Sequence, residues 1–95
     1  MAHEAGVSTA WRQSDTTLMR RTSRSVLIMP KGAEEPLRLV GMAIAIWDEL
    51  EQPATDEHLV DRIAAQAGTQ ARVIRNEVVA TRTALGHTGA ITEAR

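Results

Sequence analysis

The side chains of this sequence that could carry chemistry fall into three small sets: the histidines His3, His58 and His87, the adjacent acids Asp48-Glu49 and Asp56-Glu57, and the arginines Arg72, Arg75 and Arg82. No two histidines stand three or four residues apart and the chain has no cysteine, so neither a helical ligand pair nor a thiolate site is available for a metal. Adjacent acids point in different directions around a helix, which makes them a charged surface rather than an acid–base pair. Serine and threonine are plentiful, but no nucleophile elbow, phosphate loop or dinucleotide fingerprint surrounds them. The reading is of a protein that is not an enzyme and needs no cofactor or metal.

The arginines are the sharper signal. Net charge is −1, which offers no overall attraction for nucleic acid or an anionic membrane. Its distribution is uneven: the stretch 48–61 carries six acids and no base, whereas 62–82 carries four arginines against Glu77 alone. Spacings of three and seven bring Arg72, Arg75 and, less closely, Arg82 to one side of a helix. A single-signed face in an otherwise balanced protein suggests an acidic partner, either a peptide or a nucleic acid.

The elements that hold these side chains follow from pattern. Ninety-five residues are enough for one domain near the lower size limit for a useful core. That core must be aliphatic, because Trp11 and Trp47 are the only aromatic residues. Residues 1–15 show no sustained period and read as a flexible arm, with Trp11 either docking back or remaining an exposed contact. Residues 16–21 and 25–30 read as strands joined by a turn at Thr22-Ser23-Arg24. In 36–40, Leu37 and Leu39 alternate with Arg38, the pattern of a third, half-buried strand.

A first helix should begin near Gly41, with Met42, Ile46 and Leu50 in one stripe and Trp47 most simply a core anchor. Pro53 ends it. Thr55 is a suitable N-cap for a second helix, with Asp56 and Glu57 at the positive end of its dipole and His58 where a capping-box Glu would stand. Leu59, Val60, Ile63, Ala64 and Ala67 form its apolar face and Gly68 its C-cap. A third helix is expected from about Ala71 to Leu85, with Ile74, Val78 and Leu85 inward, closed by Gly86 and Gly89, after which Ala90-Ile91 can pack back. The fold class is therefore α+β and winged-helix-like: a three-stranded antiparallel sheet over 16–40 followed by three helices, with residues 92–95 a tail. No apolar run reaches membrane-spanning length and no signal pattern opens the chain, so a soluble cytoplasmic protein without a membrane partner is expected.

This order of elements comes with local wording that resembles the PqqD-like family, small domains (RiPP recognition elements) that bind the leader segments of ribosomally made peptides. The family's helix-one frame of a Leu, small or polar residues, an Ala run and Ile-Trp is filled by Leu39, Val40-Gly41-Met42, Ala43-Ile44-Ala45 and Ile46-Trp47. Glu49-Leu50, Pro53, Thr55 and Leu59-Val60 match its next segment, and Gly68, Glu77-Val78, Leu85 and Gly89 match positions beyond. The match runs over about 16–91; its single motifs are weak and their order carries it. Thr81 and Arg82 depart from the pattern, standing where relatives carry large apolar residues; either the core is thinner there or Arg82 faces a partner.

The resemblance implies a peptide chaperone that presents a precursor (leader) peptide to a separate modifying enzyme, such as a radical-SAM protein, a cyclase or a leader peptidase. The peptide would add a strand to the backbone edge of Leu37, Arg38, Leu39 and Val40, with Ile74 and Val78 walling a groove and Arg72, Arg75 and Arg82 selecting acidic residues. The rival reading is a winged-helix DNA-binding protein with those arginines on a recognition helix, disfavoured by the net charge. A third is a structural subunit of a larger enzyme, docking through the strand edge. Monomer and homodimer both remain open, since free strand edges can pair with each other.

Overall fold

Alternation places Val26 and Ile28 on one side of a strand, and the fold buries both completely. A computed structural model describes residues 9–94 of the chain. In chain order its elements are β1 (Ala10–Gln13), β2 (Leu18–Arg21), β3 (Val26–Met29), β4 (Leu37–Leu39), α1 (Met42–Glu49), β5 (Ala54–Thr55), α2 (Asp56–Ala67), α3 (Ala71–Thr88) and β6 (Ile91–Glu93). The architecture is α+β, and the expected sequence of three antiparallel strands followed by three helices is present as β2-β3-β4 and α1 to α3.

The hairpin between β2 and β3 is closed by hydroxyl chemistry. Thr22 N–H donates to Ser25 O at 2.8 Å, and Ser25 N–H donates to Thr22 Oγ1 at 3.0 Å. Register then sets the faces: Met19 lies opposite Ile28 and Ile28 opposite Leu37, while Arg20 lies opposite Leu27 and Leu27 opposite Arg38. One face, with Val26, Ile28 and Leu39, enters the core; the other carries Leu18, Arg20, Leu27, Met29 and Arg38 outward.

The expected N-terminal arm and C-terminal tail need correction. Ala10–Gln13 is the central strand of a second antiparallel sheet, ordered β5-β1-β6. Trp11 lies opposite both Ala54 and Glu93, so this sheet gathers two chain ends and the α1–α2 connection. Gln13 also ties it to α1, donating from its backbone N–H to Leu50 O at 2.8 Å and from Nε2 to Trp47 O at 2.7 Å. Residues 1–8 of the expected arm, with His3, and Arg95 of the tail lie outside the described residues.

The helices obey their end signals. Thr55 Oγ1 accepts the His58 N–H at 3.2 Å, and Gly68 takes the left-handed conformation at φ 68 that a C-cap requires. Ala67 is exposed rather than part of the buried face, because it falls in the last turn beyond the contact with α3. α3 runs through Gly86 to Thr88, three residues past the expected end. A Cβ at Gly86 would make only ordinary van der Waals contact, 3.4 Å from Arg82 Nη1 and 3.6 Å from the Trp11 ring, so space does not demand the glycine and the helix passes through it. Trp47 is buried as the core anchor, in one cluster with Ile46 of α1 and its C-cap Leu50, Leu59, Val60 and Ile63 of α2, and Ile74, Val78 and Leu85 of α3. Its Nε1 has no hydrogen-bond partner among the described residues.

Candidate functional site

The first turn of α2 and one side of α3 meet as opposite charges. Arg75 donates from both Nη atoms to the two carboxylate oxygens of Glu57, each at 2.6 Å. One turn-pair further along, Arg82 donates from Nε and Nη2 to Asp56 at 2.8 and 3.3 Å, and its guanidinium lies over the Trp11 ring at 4.4 Å from the centroid. Hydrogen bonds from Arg75 hold the Glu57 carboxyl below its ordinary pKa, with the guanidinium charge acting in the same direction and desolvation opposing it. The same hydrogen bonds, then the Glu57 charge, raise Arg75. The acidic partner that the sequence suggested for Arg75 and Arg82 is therefore the preceding helix of the same chain. Arg72 stays exposed, and among the described residues its side chain donates only to Gln70 Oε1, at 2.8 Å.

A cleft of about 530 Å³ lies over these pairs, walled by Trp11, Asp56, Glu57, Arg75, Val79 and Arg82. Its charged groups already satisfy one another, which leaves it little to offer a ligand.

Ile74 and Val78, expected as the wall of a peptide groove, are core residues: Val78 is wholly buried and Ile74 nearly so. They sit on the face of α3 that packs against α1 and α2, and a side chain already enclosed cannot also line an open groove. Of the expected edge residues, Leu39 is buried and Leu37 half-buried, while Arg38 and Val40 face solvent. What the edge offers a partner is its backbone together with Arg38 and Val40.

The opposite edge of the same sheet was overlooked as a site. All four residues of β2 are exposed, Leu18 by 71% and Met19 by 49%. With Leu27, Met29 and Pro36 they line an apolar cleft of about 300 Å³. The available signal was the absence of alternation in 18–21: two apolar residues followed by two arginines satisfy neither face of a half-buried strand.

No family model matches the chain, and neither a curated protein nor a solved structure matches it significantly. The site therefore has to be read from its own geometry. His58 and His87 are both exposed, and no three of His, Asp and Glu converge as metal ligands among the described residues. Among those residues no helix is long and apolar enough to cross a membrane.

Proposed function

We propose that this chain is a stand-alone peptide-binding adaptor of the PqqD-like kind, which acts in the cytoplasm, takes up the leader segment of a ribosomally made precursor and presents it to a separate modifying enzyme. The observation that carries the reading is the open sheet β2-β3-β4. Among the described residues neither outer strand has a further neighbour, and of their four exposed large apolar side chains three, Leu18, Met19 and Val40, stand on or beside those two strands. An unpaired edge is a row of backbone donors and acceptors that an extended peptide satisfies by adding a strand. Natural proteins usually blunt such edges, so one with exposed apolar residues beside it is a docking feature.

The DNA-binding rival draws its support from the basic face of α3. With Arg75 and Arg82 held by Glu57 and Asp56, most of that face is neutralised. A phosphate backbone would have to displace both carboxylates, at the expense of the α2–α3 contact.

The test is calorimetric titration of the protein with precursor peptides encoded beside its gene. Binding at about micromolar Kd or tighter, near −8 kcal/mol, is expected. It should be weakened by Leu18→Asp if the peptide adds to β2, or by Val40→Asp if it adds to β4, each an exposed change. Absence of binding to every such peptide would sink the reading. Arg75→Glu is a poor probe, because it sets two acids against each other on α2 and α3 and reports stability first.

A further inference from the structure

The two edges of the open sheet are not equivalent, and charge separates them. Arg12, Arg21, Arg62, Arg75 and Arg82 each have a carboxylate within 3.4 Å. Arg20, Arg24, Lys31 and Arg38 have none among the described residues, and all four lie on the sheet β2-β3-β4 or its turns. Across the outer face, Arg20, Leu27 and Arg38 form one row and Leu18 and Met29 the next, with Pro36 closing the apolar cleft. Arg24, in the β2–β3 turn, stands at the Arg20 end of the sheet. Glu34 and Glu35 stand in the β3–β4 connection, at the Leu18 end. The face therefore carries Arg20, Arg38 and Arg24 toward one end, and is apolar at the other, where the connection beyond it holds Lys31 together with Glu34 and Glu35.

From this placement we infer that the β2 edge, rather than the β4 edge, receives the peptide, and that it selects a carboxylate followed by two apolar residues; the inference rests on the peptide-binding reading above. An incoming strand antiparallel to β2 meets Arg20, Met19 and Leu18 in that order. Its first residue, outward and opposite Arg20, pairs best as Asp or Glu. The second points to the inner side against Met19, which is half-exposed only because nothing flanks it, and the third returns outward to Leu18 and the apolar cleft. β4 offers less: Leu39 is buried, Leu37 half-buried, and only Val40, just past its end, exposes a large apolar side chain, against both Leu18 and Met19 on β2.

Other occupants fit worse. Two copies pairing β4 to β4 about Arg38 would set like charges directly opposite each other, and β2 to β2 would crowd Arg20 and Arg21 from both chains. Single-stranded nucleic acid needs an aromatic platform, and both tryptophans of the chain lie elsewhere, Trp47 in the core and Trp11 on β1.

The experiment is titration of ¹⁵N-labelled full-length protein with the peptide Gly-Thr-Glu-Val-Leu-Thr-Gly, which remains informative at millimolar affinity. Shift changes should centre on the amides of Leu18–Arg21, Leu27 and Met29. Gln in place of the Glu, or Arg20→Glu in the protein, should each weaken binding, the charge reversal by about tenfold. A Lys-for-Glu peptide should recover binding to Arg20→Glu, a rescue that a merely damaged fold cannot give. Shifts centred on Leu37–Val40 and α3, or no shifts at all, would overturn the choice of edge and motif. Binding of encoded precursor peptides would survive that result, so the two proposals fail separately. Dimerisation through the sheet, or equal Arg20-dependent binding of an oligothymidine, would also overturn it.

Discussion

Arg82 joins three elements at once, and cutting it out of that junction gives the most decisive test of the packing. Its side chain is only 13% exposed and that of Asp56 32%, so the pair is far more sheltered than a surface ion pair worth about 0–1 kcal/mol. Two charge-assisted hydrogen bonds at 2.8 and 3.3 Å place it toward the range of about 1.5–3 kcal/mol for hydrogen bonds to charged groups. The Trp11 ring, 4.4 Å below the guanidinium, adds about 0.5–1 kcal/mol. Arg82→Met keeps the aliphatic stem against Trp11 and removes the charge, so a loss of about 2–3 kcal/mol is expected. Against a total stability of roughly 5–14 kcal/mol for a chain of this length, that lowers Tm by roughly 10–20 °C. Urea unfolding followed by far-ultraviolet circular dichroism, on the single and double variants of Arg82→Met with Asp56→Asn and with Trp11→Leu, separates the contributions. Coupling of about 1–2 kcal/mol for the ion pair and about 0.5–1 kcal/mol for the ring is expected. If both couplings fall below about 0.3 kcal/mol, Arg82 is not the link between β1, α2 and α3 and the argument fails.

Two further outcomes follow from single environments. The Glu57 carboxyl is held below its ordinary value by Arg75, so its contribution is fully present above its unfolded-state pKa, near 4.5, and disappears as pH falls through the lower folded value. The Tm difference between the wild type and Arg75→Gln should accordingly be largest at neutral pH and shrink in acid; a difference that is constant down to pH 2 would contradict the pairing. Trp47→Phe removes a buried indole N–H that has no partner among the described residues, a relief of about 1–3 kcal/mol that offsets the smaller ring. Urea unfolding should therefore show a net change within about 1 kcal/mol, against about 2–5 kcal/mol for Leu50→Ala at an equally buried position. Equal losses for the two would mean that the indole N–H is satisfied.

Local signals proved dependable where the determinant is local. The Thr22–Ser25 turn, the Thr55 cap, the Gly68 C-cap and the Met42–Leu50 stripe all depend on residues a few positions apart, and each is found where its residue types put it. β1 was illegible for the opposite reason. Ala10–Gln13 has no alternation of its own, and its partners lie some 40 and 80 positions away at Ala54 and Glu93. The candidate site divides in the same way: the backbone edge at Leu37–Val40 and the exposed Arg38 could be read from alternation, whereas the enclosure of Ile74 and Val78 could not. Helical periodicity names an inward face without saying whether a neighbouring helix or an open groove meets it.

By itself the sequence determined the α+β class, the three helices and both ends of the second, the aliphatic core around Trp47, and the lack of any cysteine chemistry, because these depend on residue type and short-range spacing. Only the tertiary structure decided which charges meet. The acids of α2 and the arginines of α3 looked like an invitation to an outside partner, and instead Arg75 and Arg82 close on α2, since packing of the two helices brings Glu57 to Arg75 and Asp56 to Arg82. Arg20 and Arg38, on the sheet near the exposed Leu18 and Met19, have no carboxylate partner among the described residues. Charge pairing is a property of distance in space rather than along the chain, and it is why the proposed binding surface is the sheet rather than the third helix.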